Sequence, residues 1–199
     1  MNKTFYLYML TIGLMAASCT NNKPQQYNHE ETSDSIVVVN HNRTVFGLCG
    51  EGSAMNTLQL LTDSGDTLSL DLSVARESNN IFGGYECGDK MAVLLTNDRS
   101  VAELVINETT LLGNWVMPNP LDGSSIVGIS LREGGIAESI DQSTIVYKTW
   151  RIVDGGLEIQ SVREGGGDVE ETNVYRIVKL DADSLVYMNE EDLFEYSRQ

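Results

Sequence analysis

The chain of 199 residues reads as all-β, built as two small β-barrel-like domains. Three observations carry that expectation. Runs of Val, Ile, Leu, Thr and Tyr with partial two-residue alternation recur along it, as in strands with one buried face. Gly, Asn and Asp interrupt these runs at short intervals, supplying residues that tolerate the backbone of hairpin turns. No window of about eleven residues carries the apolar stripe of an amphipathic helix.

The first eighteen residues form a separate element. Met1-Asn2-Lys3 precedes a largely apolar stretch from Phe5 to Leu14, then Met15-Ala16-Ala17-Ser18 and Cys19, the layout of an export signal. The apolar run is shorter than the roughly 20 residues that span a bilayer. Small residues directly before a cysteine resemble the lipobox of bacterial lipoproteins. That resemblance implies cleavage before Cys19, acylation of Cys19 and a membrane partner engaged through its acyl chains, since two or more chains hold stably. Thr20 in place of an aspartate implies the outer membrane, with a protein of the cell envelope facing the periplasm or the surface. Residues 19–35 are polar and read as a flexible tether.

About 160 residues remain, enough for one large or two small domains. The first, 36–108, reads as strands Thr44 to Cys49, Thr57 to Thr62, Thr67 to Leu72, Ile81 to Tyr85, Met91 to Thr96 and Val101 to Ile106, with Ser73 to Asn80 as a loop. A turn at Asp63-Ser64-Gly65-Asp66 makes a hairpin of the second and third, and Gly88-Asp89-Lys90 turns the chain into the fifth. This arrangement resembles a small OB-type barrel.

The second domain, 109–199, opens with one helical turn at Thr109 to Leu112 and then Gly113-Asn114-Trp115. From Trp115 onward eight strands follow, among them Ile136 to Ile140, Thr144 to Val153, Glu170 to Leu180, Ser184 to Met188 and Leu193 to Arg198. Gly-, Asn- and Asp-bearing turns join them in a sequential meander. Gly-x-Trp at the head of such a meander resembles the signature of lipocalin-like domains. The resemblance implies that Trp115 plugs the closed end of a barrel and that Arg198, late in the chain, lies across its indole. It also implies a non-catalytic module holding a small apolar ligand. Trp150 alternates with Lys148 and Ile152, so all three are expected on one face, a candidate ligand-lining face. The alternative is a filled barrel acting structurally or docking another envelope protein.

Composition narrows the chemistry. A formal net charge of −16 opposes nucleic-acid binding, which needs clustered Lys and Arg. Both histidines, His29 and His41, fall in or near the tether, so no catalytic triad, metal site or cofactor is expected in the folded part. Glu138 and Asp141 read as a solvated strand face. Cys49 and Cys87 suit either a disulfide or small strand-end residues; a bridge would close a loop of about 39 residues.

Overall fold

The computed structural model describes residues 43–141, 144–163, 165 and 169–199. Cys19, the signal and the tether lie outside the described residues, as do both histidines.

The first half forms an open, mixed six-stranded sheet: β1 (Thr44–Cys49), β2 (Thr57–Thr62), β3 (Thr67–Asp71), β4 (Ile81–Phe82), β5 (Lys90–Leu95) and β6 (Ala102–Asn107), in the order β3-β2-β1-β5-β6-β4. All pairings are antiparallel except β4 with β6. A single parallel bridge, Asp71 to Val101, joins β3 to the chain entering β6. The strands form an open sheet where the sequence reading expected a small barrel, and two local details also depart from it. The stretch after β3 is a five-residue helix, α1 (Ser73–Glu77), not a loop. Asp71 Oδ1 accepts from the Ser73 backbone N–H at 2.8 Å at its start, and only Ala75 of the helix is buried. The fourth strand stops at Phe82, because Gly83 and Gly84 both take positive φ, which ends an extended strand.

After α2 (Glu108–Leu111) comes a closed antiparallel barrel: β7 (Gly113–Pro118), β8 (Ile126–Arg132), β9 (Ile136–Ile140), β10 (Ile145–Val153), β11 (Gly156–Arg163), β12 (Glu170–Leu180), β13 (Ser184–Met188) and β14 (Leu193–Arg198). Neighbours in sequence are neighbours in space, and β14 returns to β7 through Ser197–Val116 and Arg198–Trp115. Closure gives each strand two neighbours, although β9–β10 and β14–β7 pair over only one and two registers.

No strand of the sheet pairs with a strand of the barrel, yet they share a core. The explanation is β5, whose Lys90-Met91-Ala92-Val93-Leu94-Leu95 is apolar throughout after its lysine. Met91, Val93 and Leu95 enter a cluster with Leu58, Leu60, Leu70 and α1's Ala75. Ala92, with Phe82 and Ile106, joins instead the cluster that holds Trp115 and Leu131 of the barrel. A strand buried on both faces loses the alternation of a half-buried one. The backbone confirms the docking: Gly83 N–H donates to Leu180 O at 2.9 Å, and Gly155 N–H to Thr44 Oγ1 at 3.2 Å.

Candidate functional site

Asn107 sets the geometry at the closed end of the barrel. Its Oδ1 accepts from the Thr110 backbone N–H at 2.9 Å, capping α2, as expected of Asn before a helix. Its Nδ2 donates to Asp89 Oδ2 at 2.7 Å and to Gly83 O at 3.2 Å. The short helix thereby delivers Leu111 beneath the barrel. Trp115 is fully buried there, its Nε1 donating to Leu111 O at 2.8 Å.

Arg198 lies over that indole, its guanidinium carbon 4.1 Å from the ring centroid. The same guanidinium donates to Thr110 O at 2.6 Å and Leu112 O at 2.8 Å, carbonyls at the end of α2 that the helix cannot pair itself. Gly113 fits this latch for two reasons. Its φ is +141°, and a Cβ there would strike Arg198 Nη1. Gly113, Trp115 and Arg198 therefore form one structural unit, with the indole sealing the bottom of the barrel.

Above the seal the lower part of the barrel is tightly packed: Ile129, Leu131, Leu157, Leu185 and Tyr187 are each at most 1% exposed. An aromatic stack continues upward: Tyr187 sits 5.5 Å from Tyr196 and 4.9 Å from Tyr175, ring centre to ring centre, and Phe194 lies 5.2 Å from Tyr187. The Tyr187 and Tyr196 hydroxyls are 3.3 Å apart. Burial pushes the phenols of Tyr147, Tyr187 and Tyr196 upward, as for any group losing its hydration.

Of the three residues expected on one strand face, the structure keeps two together. Trp150 and Ile152 are buried, and Trp150 Nε1 donates to Arg132 O at 2.9 Å. Lys148 is exposed and leaves the set. The pairing of β10 with β11 slips between Tyr147 and Thr149, so a bulge turns Lys148 outward and puts Tyr147 in the interior beside Trp150. A bulge shifts the side-chain period by one residue.

The bridge weighed between Cys49 and Cys87 is not formed: both thiols are free. Cys49 is buried with its Sγ 3.3 Å from Ser53 Oγ, whereas Cys87 is exposed. Burial pushes the Cys49 thiol up. Glu138 is exposed and pairs with Arg132 at 2.6 Å.

The sequence reading missed a cleft where the barrel's closed end meets the sheet. It measures about 200 Å³, and Phe46 of β1, Leu112, Trp150 and Ile152 give it apolar walls. Lys90, Glu108, Glu133 and Arg151 stand around it. These residues come from β1, β5, α2, the 3-10 turn Glu133–Gly135 and β10, and no sequence spacing links them.

An eight-stranded antiparallel barrel, entered through Gly-x-Trp and latched by an arginine over the indole, defines a lipocalin-type module. Residues 107–199 match the family model described as lipocalin-like, and through them the chain belongs to that family. One similar solved structure is the crystal structure of a lipocalin-like protein from Bacteroides thetaiotaomicron VPI-5482. It is 33% identical over 45% of this chain and 96% of that one, with a TM-score of 0.41. The search of curated proteins found no match.

Proposed function

We propose that the protein is a lipid-anchored lipoprotein of the outer membrane that acts without catalysis, by docking another envelope protein through the outside of a filled barrel. The aromatic side chains inside the barrel carry this reading: Tyr147, Tyr187 and Tyr196 are buried where a deep calyx would otherwise hold a ligand.

The end opposite Trp115 supports it. Seven reversals of the meander gather the loops after β7, β9, β11 and β13 there. Leu121, Ile126, Val169 and Leu193 on these loops and adjoining strand ends are exposed, beside the exposed carboxylates of Asp122, Glu170, Glu190, Glu191 and Asp192. Apolar side chains with an acidic surround suit a partner offering an apolar contact ringed by Lys and Arg. The OB-type reading of the sheet is part of the same proposal. Its support is the order β3-β2-β1-β5-β6, a helix between β3 and β4, and the parallel Asp71–Val101 bridge.

The test places Glu at Leu121 and Leu193 in the full-length protein and compares in-cell crosslinking with the unchanged chain. A stably folded double variant should lose its crosslinked envelope partner; an undiminished crosslink refutes docking through this end. Small-ligand binding is the second reading, and it is favoured only at the cleft by the closed end.

A further inference from the structure

We propose that the cleft between the closed end of the barrel and the sheet binds a small organic monocation with an apolar body, of the arylalkylamine class, with Glu108 as its counter-ion. The space equals about seven waters of liquid, which suits one ring with a short stem and excludes a fatty acyl chain. Its walls are Phe46, Leu112, Trp150 and Ile152, and burial of a hydrocarbon body against them is favourable.

The charges around the cleft select the sign of the ligand. Arg151 is already engaged by Glu158 at 2.5 Å, and Lys90 by Glu133 at 3.4 Å. Glu108 is half-buried, and its carboxylate makes no hydrogen bond or ion pair among the described residues. Burial, and secondarily the negative charge of Asp63, push its carboxyl above the usual carboxylate range, while Lys90 partly opposes them. A carboxylate or phosphate entering the cleft would meet Glu108 and Asp63 as like charges. A divalent metal would find too few ligands, since no cluster of three or more His, Cys, Asp or Glu able to hold one occurs among the described residues. An ammonium group instead gives Glu108 the partner it lacks and gains a charge-assisted hydrogen bond.

The chain has two tryptophans, so a nitrogen-15 spectrum of the full-length protein shows two side-chain indole signals, of which only that of Trp150 lies at the cleft. Titration with phenethylammonium should move the Trp150 signal saturably and leave that of Trp115 in place. Phenylacetate, of similar size and opposite charge, should move neither. Glu108→Gln should weaken the amine by about tenfold or more, the usual range for a lost hydrogen bond to a charged group, with both indole signals otherwise retained. Lys90→Gln, at an exposed site, should tighten it by removing the competing cation. The assignment is overturned if the amine gives no saturable shift, if phenylacetate binds equally well, or if Lys90→Gln leaves the affinity unchanged or lower. Undiminished binding to a folded Glu108→Gln protein also overturns it.

Discussion

Replacing Arg198 by Ala removes four things at once: a cation over the Trp115 indole, two hydrogen bonds to the otherwise unpaired end of α2 and a third to Ala182 O. The magnitude follows from their setting. A guanidinium over indole contributes about 0.5–2 kcal/mol depending on desolvation. Hydrogen bonds from a charged donor contribute about 1.5–3 kcal/mol each, less here because the guanidinium is only partly buried and water would reach the freed carbonyls. The combined loss is therefore roughly 2–4 kcal/mol, which for a chain of this size lowers the melting temperature by roughly 4–16 °C.

Arg198→Lys separates the contributions, because it keeps the charge and lacks the planar fork that reaches both carbonyls; its loss should fall between those of the other two forms. Thermal unfolding followed by circular dichroism, with Trp115 emission as a local probe, measures both. An unchanged melting temperature for Arg198→Ala would refute the latch. It would mean that Trp115 is held by the walls around it and that the arginine rests on the surface without consequence, although only Gln199 follows it in the chain.

Gly113→Ala should destabilise by about 1–3 kcal/mol, combining a left-handed backbone with a clash against Arg198; a neutral effect in urea unfolding would contradict the account of Gly-x-Trp. Tyr187→Ala should cost about 3–5 kcal/mol and open the lumen, read as new binding of benzene or xenon; binding of either inside the barrel of the unchanged protein would contradict a filled interior. A maleimide should label Cys87 at once and Cys49 only on unfolding, so two equally fast thiols in the folded domain would contradict the burial of Cys49. Cys19→Ser should leave an uncleaved, unlipidated precursor, visible by mass and by loss from the membrane fraction; normal processing would contradict the anchor. Glu108→Gln should raise the melting temperature at neutral pH. Because the folded carboxyl titrates above its unfolded value of about 4.3, the penalty of ionising it is full above the raised value and gone below the unfolded one. The gain should thus vanish in acid, and a gain that persists there would assign the effect to something other than charge.

The barrel was legible because each of its strands has one face inward. Ile136–Ile140, Glu170–Leu180, Ser184–Met188 and Leu193–Arg198 have the same limits in the structure as in the sequence reading. Alternation plus Gly, Asn or Asp marks such boundaries without knowledge of the partner strand. Lys148 went to the wrong face because a bulge is decided by pairing with β11, which the local alternation of β10 does not encode. The helix α1 was missed because five residues with one buried alanine carry no stripe. The cleft was invisible for a deeper reason: Phe46, Glu108 and Trp150 meet only because one face of the sheet is spent on the barrel, and the first hint of that is the unbroken apolar run of β5.

That shared core bears on where the molecule can act. Phe82, Ala92 and Ile106 cover the closed end of the barrel, so a partner has the open end, the outer faces and the junction cleft available. Electrostatics then separates the open end from the rest. The chain holds 13 Lys and Arg against 29 Asp and Glu. Among the described residues Arg43, Lys90, Arg132, Arg151, Arg163 and Lys179 are engaged in ion pairs, and Arg198 is committed to carbonyls. Carboxylates such as Glu190, Glu191 and Asp192 thus face solvent with few cations to screen them, next to the exposed Leu193. Exposed charges of one sign steer an oppositely charged partner over about a Debye length, roughly 8 Å at physiological salt. Docking at the open end should therefore slow markedly as salt rises, whereas an amine buried against Glu108 should be far less sensitive, because a partly desolvated pair is weakly screened. Equal salt dependence of the two would place them on the same kind of surface and remove the physical distinction between the rim and the cleft.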